Sequence, residues 1–423
     1  MKRNSFPESG LSSSMVEGLL SQSRSDSKNP LETFSDRWIN DCGLLIDDGA
    51  LEVAKSAYME FFTKNNSYAP VMKFERDLVS MSLELFHGGS NAVGNLTSGG
   101  TESLFLATLM ALSHGWKKQR NARKPEIIMP ESAHPAFEKF SRYLGLGVRR
   151  VAVDSEFRAD PKEIEQAISK STQMIIASIS SWTHGACDPV AKIAEIAEAK
   201  GIWFHVDACV GGFLAPFVVD LGRDVPNFDF RVQGVSSISA DFHKYGYSGK
   251  GVSGIFYGQR ELCKDQIFAF DTWAAGLYRS ANFTGTRSGG AIASAWAVMR
   301  FLGRGGYRNR AAQILKARDA LVELTTRMPE LKLLGRADLG TVAIGSDFVD
   351  IYKVASRLEI QGWTIKLLKN PSAIQFVLGP LRDKFVEKLV SDLNAAVQDV
   401  CGSKLEVESP QVVYSDEICD PIG

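Results

Sequence analysis

The stretch from Ser236 to Gly251 (SSISADFHKYGYSGKG) holds the most reactive arrangement in the sequence, an apolar strand running into a loop that carries His243, Lys244 and Lys250. A lysine set between a histidine and a tyrosine at the end of a buried strand loses hydration. Burial disfavours the ammonium, and a neutral amine can attack an aldehyde to form a Schiff base.

Other stretches carry groups that could surround such a lysine. Gly94 to Ser103 (GNLTSGGTES) precedes an apolar helix, Leu104 to Leu112. Its glycines let the backbone approach a ligand, and the helix start offers free N–H groups, so Ser98, Gly99, Gly100 and Thr101 can form an anion cradle. The same residues also read as an ordinary capped helix, with Thr101 or Ser98 as the cap. In the strand Ile202 to Ala208, His205 and Asp207 share a face. Asp207, at the carboxyl end, either pairs with a nearby Arg or Lys or holds the proton of a pyridine ring. His134 either caps a helix or lies flat over a ring. Ala281 to Gly290 (ANFTGTRSGG), with Gly285 and Thr286, is a second small-residue turn before a helix and can donate to a phosphate.

Alternating strands and helices must position these groups. Strands are expected at Glu126 to Pro130, Val148 to Val153, Met174 to Ser180, Ile202 to Ala208, Ser236 to Asp241 and Val252 to Tyr257. Between them lie a helix from His134 to Leu144 and two opened by Asp160 with Pro161 and by Asp188 with Pro189, each aspartate acting as cap. This order predicts a mostly parallel sheet with helices on both faces and ligands beyond the strands' carboxyl ends. Leu51 to Phe62 and Phe74 to Leu85 have amphipathic helical spacing. From Gly306 onward, helices Arg308 to Arg327, Ile351 to Glu359 and Arg382 to Val400 and short strands such as Thr341 to Gly345 suggest a smaller α/β domain. The expected partition is a disordered arm (1–30), a helical segment (31–75), a large domain (76–303), a small domain (304–400) and a tail (401–423).

The 423 residues carry 48 Lys+Arg against 49 Asp+Glu, a net charge of -1 that offers nucleic acid or an anionic membrane no attraction. The six cysteines are scattered without paired spacing, which argues against a zinc site or disulfide framework, so no metal is expected and a cytoplasmic location is. No apolar run is long enough to span a bilayer.

Taken together, SGGTES, HVDACVGGF (His205 to Phe213), DFHKYGYSGKG (Asp241 to Gly251) and GTRSG (Gly285 to Gly289) resemble the type I pyridoxal 5'-phosphate enzymes, within them the group II decarboxylases, and most closely the sphingosine-1-phosphate lyases. The resemblance runs from about Leu51 to Val400. It implies the fold type I transferase architecture, a large domain with a mostly parallel sheet and a smaller C-terminal α/β domain. Lys244 would hold the cofactor covalently, and His243, Gly100 and Thr101, with Ser98 and Gly99 beside them, would bind its phosphate. His134 would stack on the ring, Asp207 would pair with the ring nitrogen, and His205 would belong to the same cofactor site. Gly285 and Thr286 would reach the phosphate from a neighbouring subunit, making a homodimer, and Lys250 would assist at the substrate.

Departures from the family pattern fall on the substrate side: Trp182-Thr-His-Gly185 for aromatic-Pro-His-Gly, Cys42 to Leu45 without a tyrosine, a shortened loop at Asn65 to Tyr68, and Gln375 in place of a histidine. The expected activity is carbon–carbon cleavage of an amine substrate, giving an aldehyde and a phosphorylated amine. An amino-acid decarboxylase is the alternative, and an inactive scaffold of the same fold is the third reading.

Overall fold

The computed structural model describes residues 11–26, 48–118, 124–363 and 365–402. The expected disordered arm contains a helix, α1 (Ser13–Asp26). Ser12 Oγ accepts from the Met15 amide at 3.3 Å, and Leu11, Met15, Val16, Leu19 and Leu20 recur at helical spacing, which favours coiling although all five are exposed. The amphipathic helices α2 (Asp48–Phe61) and α3 (Ala69–Leu85) follow. α3 starts with proline in its first turn and buries Val71, Leu78 and Leu85 on one stripe, each worth about 1.5–3 kcal/mol.

Strands β1 (Val93–Thr97), β2 (Glu126–Pro130), β3 (Gly147–Val151), β4 (Thr172–Ser178), β5 (Trp203–Asp207), β6 (Ser237–Ala240) and β7 (Ser253–Tyr257) form one sheet in the order β1-β7-β6-β5-β4-β2-β3. Helices α4 (Gly100–Lys118), α5 (Ala136–Leu144), α6 (Pro161–Ala167), α7 (Val190–Lys200) and α8 (Ala215–Asp220) connect and cover it. Every residue of β4 and β5 is buried, as expected of strands covered on both faces. β7 runs antiparallel to β1 and β6 because the link from β6 carries no crossover helix. That link carries Lys244.

Asp160 caps α6 as predicted, accepting from the Lys162 amide at 2.8 Å. Asp188 does not cap α7. It is wholly buried, and its carboxylate accepts from the Ala159 and Ser178 amides at 2.7 and 2.6 Å, pinning the end of β4 to the segment before α6; burial pushes its pKa up to about 7. The buried amides offered better partners than the exposed end of the helix.

Beyond β7 an unanticipated hairpin, β8 (Phe268–Phe270) with β9 (Tyr278–Ser280), stands out from the body. The chain then enters α9 (Gly289–Arg327), capped by Ser288 and interrupted only at Gly303 (φ 52°, ψ -178°), where the sequence suggested two helices. The remaining elements are β10 (Lys332–Leu334), β11 (Thr341–Gly345), α10 (Ile351–Ile360), β12 (Lys366–Lys369), β13 (Ser372–Val377) and α11 (Asp383–Gly402). The strands make an antiparallel sheet in the order β10-β11-β13-β12. β12 starts only at Lys366, and Trp363 before it packs inward, donating to Asp392 Oδ2 on α11 at 2.7 Å. Among the described residues, no helix is long and apolar enough to cross a membrane.

Candidate active site

A cavity of about 650 Å³ opens where β4 and β5 end and α4 begins. Ser98, Gly99, Gly100, Thr101, His134, Asp207, His243 and Lys244, drawn from four separate segments, all line it. The glycines have different tasks. A Cβ on Gly100 would lie 2.8 Å from Asp241 Oδ1 and 3.1 Å from Cys209 Sγ, so only glycine lets the helix start pack there, whereas one on Gly99 would meet nothing within 4 Å.

Lys244 is not simply desolvated. Its Nζ lies 2.9 Å from Oδ2 of Asp241, a buried carboxylate that sequence reasoning passed over although it stands three residues earlier in the same loop. Ser253 Oγ donates to Asp241 Oδ1 at 2.5 Å. Burial alone raises the Asp241 pKa, but Lys244 and His243 outweigh it and hold the group below the usual carboxylate range. His243 Nδ1 donates to the Val252 carbonyl at 2.9 Å, which fixes its tautomer, and burial lowers its pKa.

His134 is not the cap of α5, whose N-cap position is Pro135, but it stands beside the helix start. Its Nδ1 accepts from the Ala136 amide at 3.2 Å, a turn-closing bond, while the ring lines the cavity; burial keeps it neutral by lowering its pKa. Asp207 accepts from the Cys209 amide at 3.1 Å and from Ser239 Oγ at 3.4 Å. Among the described residues, no Arg or Lys pairs with it, so the salt-bridge alternative falls away.

Four expected site residues are not on the cavity wall. His205 faces the same side as Asp207 but sits one pleat repeat behind it, fully buried, with Nδ1 2.8 Å from Ser237 Oγ and Nε2 3.2 Å from Ser239 Oγ. It contacts Asp207 only through Ser239, and burial pulls its pKa to about 4. Strand alternation predicted its face correctly; depth along the strand removes it from contact. Lys250 is exposed, near enough for its charge to lower the pKa of His243. Gly285 and Thr286 are exposed on the same chain, directly after Thr284.

Next to Asp207 on the neighbouring strand, a second stretch of wall is formed by Ser178, Ser180 and Trp182. The Trp182 ring has Lys244 Nζ at 5.7 Å and Lys366 Nζ at 4.6 Å from its centroid. Gln375 of β13 reaches across, Nε2 donating to the carbonyls of Trp182 and, at 3.1 Å, Thr183. Two departures from the family pattern, at Thr183 and Gln375, therefore meet in space. The third, Asn65 to Tyr68, does not reach the cavity: the Asn66 side chain accepts from the Arg287 amide at 3.0 Å, steadying the segment after Thr286. The fourth, Cys42 to Leu45, lies outside the described residues.

With this geometry in view, known proteins give the family. The model described as the pyridoxal-dependent decarboxylase conserved domain matches residues 68–344. The chain belongs to the pyridoxal-dependent decarboxylase family. This family member is 38% identical over 338 residues to a sphingosine-1-phosphate lyase of Arabidopsis thaliana, covering 79% of the chain and 62% of that longer protein. It is 32% identical over 350 residues to a probable L-tyrosine/L-aspartate decarboxylase of Methanothermobacter thermautotrophicus, covering 81% of the chain and 93% of that protein. The structure of a Burkholderia pseudomallei sphingosine-1-phosphate lyase superposes with a TM-score of 0.88 at 33% identity, covering 94% and 93% of the two chains. The family's cofactor is pyridoxal 5'-phosphate, and the cavity fits it. An amine, a glycine-edged helix start, an imidazole whose pKa burial lowers and a carboxylate that has no cationic partner among the described residues face one space open above Gly99.

Proposed function

We propose that the protein is a pyridoxal 5'-phosphate-dependent carbon–carbon lyase acting on an amine, of the sphingosine-1-phosphate lyase kind. The observation that carries this reading is the convergence of Lys244, Asp207, His134 and the Ser98–Thr101 turn on one cavity, in a chain 38% identical to such a lyase. Bound pyridoxal 5'-phosphate supplies an electron sink when a bond to the amine-bearing carbon breaks.

The chain's own groups set the conditions for that chemistry. Lys244 binds the cofactor through its amine and, when released, carries a proton, with Asp241 holding the ammonium at 2.9 Å. Asp207 keeps a proton on the ring nitrogen, and the His205–Ser239 chain orients its carboxylate from behind. His134 covers a ring face. Gly100, Thr101 and His243 take the phosphate, and Lys250 approaches the substrate from the loop rim. Incubating the purified protein with sphingoid phosphates and α-amino acids, and identifying products by mass, tests the reading. An aldehyde with a phosphorylated amine supports it; carbon dioxide with a simple amine instead assigns the decarboxylase.

The decarboxylase stays in view because one such relative is covered over 93% of its length and the Thr183–Gln375 contact remodels the substrate wall. Placing Gly285 and Thr286 in a partner's site, and hence a homodimer, is supported by their exposure beside the exposed apolar side chains Phe268, Phe270, Trp273, Leu277 and Phe283. A cytoplasmic location is supported by the free state of Cys187, Cys209, Cys263 and Cys401.

A further inference from the structure

Glu102 stands in the first turn of α4, two residues past Gly100, at the edge of a cradle meant for an anion. A carboxylate there competes with a phosphate for donors unless its charge is already satisfied. It is satisfied, and by two segments distant in sequence. Oε2 accepts from the Ser98 amide at 2.7 Å and from Ser98 Oγ at 2.6 Å. Oε1 accepts from the amides of Phe283 and Thr284 at 2.8 and 3.1 Å, and Thr284 Oγ1 lies 3.3 and 3.2 Å from the two oxygens. The group is 7% exposed; burial raises its pKa, but these hydrogen bonds bring it below the usual range, so it works as an anion.

The next residues after Thr284 are Gly285 and Thr286, and a Cβ on Gly285 would touch nothing within 4 Å. Their position is therefore set by the anchors on either side, Thr284 before them and Arg287, tied to Asn66, after them. Asn282 Nδ2 adds a tie to the Leu96 carbonyl at 2.7 Å, and Phe283 packs edge-on against Phe105 at 5.1 Å, but of these anchors only Glu102 also grips Ser98 of the cradle.

We infer that Glu102 is a positioning residue that couples the phosphate cradle of one active site to the loop its own chain extends into the other. This rests on the dimer reading given above. Each site then depends on Glu102 of both chains: its own for the Ser98 turn, its partner's for the entering loop.

Mixed dimers of differently tagged chains test the coupling, read by titrating pyridoxal 5'-phosphate into the apo dimer and following the visible absorbance of cofactor held on Lys244. One dimer pairs a wild-type chain with Lys244→Ala; the other pairs it with a chain carrying Lys244→Ala and Glu102→Gln. In both, the only site with Lys244 has an intact cradle, and only the incoming loop differs. The Kd for the cofactor is expected to rise about tenfold in the second dimer, the size of one charge-assisted hydrogen bond. Equal affinities overturn the inference and leave the lyase reading standing. A monomer by light scattering overturns the dimer reading and the coupling with it. Should Glu102→Gln fail to fold, Thr284→Val in the same arrangement is expected to raise Kd about threefold, as loss of one hydroxyl contact predicts, and no change overturns the inference.

Discussion

The two walls of the cavity are built to different standards. On the cofactor side, the carboxylates of Asp241, Asp207 and Glu102 are all met by donors from neighbouring segments. On the second wall Ser180 Oγ is buried without a hydrogen-bond partner among the described residues, as are Ser181 Oγ, His184 Nε2 and Thr341 Oγ1, which do not line the cavity. Leaving such a group unpaired costs about 1–3 kcal/mol, which at Ser180 a ligand atom of matching polarity can recover. One wall is preorganised from within; the other is left to be completed by what binds. On the proposed reading, the choice among amines would fall to Ser180, Trp182 and the Gln375 contact.

The most severe way to probe this contrast is Lys244→Ala, expected to lower turnover at least about a thousandfold. Borohydride treatment should leave a pyridoxyl mass on the wild-type peptide bearing residue 244 and none on the variant; a label elsewhere would relocate the site. Next comes the fastening of each wall. Asp241→Asn removes the anion beside a partly buried ammonium and should cost about 4 kcal/mol in urea unfolding, whereas Gln375→Ala should cost about 1 kcal/mol. Equal losses would erase the distinction between the walls.

A pH series on folding stability separates the two sides. His205 and His184 both have pKa values pulled to about 4 by burial, below the ordinary value near 6.5. Each remains neutral when folded while the unfolded chain takes up a proton. The stability each contributes is complete above about pH 6.5 and is lost as pH falls toward 4, by roughly 3 kcal/mol per histidine. His205→Gln and His184→Gln should each flatten the fall of urea stability between these limits by its own share; an unchanged slope would mean that the ring is already charged in the fold. The smallest effect belongs to Ser180→Ala. It should shift KM by about threefold while the absorbance of bound cofactor stays unchanged, and a lost cofactor signal would put Ser180 on the other side of the division.

What the sequence reveals follows the same division. Lys244, His134, Asp207 and the Ser98–Thr101 turn could be read because each sits at a junction of strand and helix whose ends are marked locally by glycine, proline or a change of hydrophobic period. The parallel sheet was legible for the same reason. Asp241 was missed because its meaning lies in the fold of a loop, and Glu102 because half its partners lie some 180 residues away. The capping role expected of Asp188 failed because two buried amides from distant segments compete for it. His205 was placed on the correct face, yet periodicity along a strand carries no information about depth. The exposed hairpin left no signal in a pattern search, since its apolar residues have no neighbours in the chain to alternate against.

The interruption at Gly303 bears on how the choosing wall is aimed. Its backbone angles belong to a region open essentially only to glycine, so α9 is two rods meeting at a joint. The rod before the joint packs against α2 and α3, and the rod after it carries the small sheet and with it Gln375. The same rod also holds the lysine loop, because Tyr307 Oη donates to the Gly246 carbonyl at 2.9 Å, and Tyr245 Oη donates to the Leu378 carbonyl next to β13 at 3.0 Å. The elbow therefore joins the small sheet and the lysine loop into one body, so a substitution at Gly303 is expected to disturb both together.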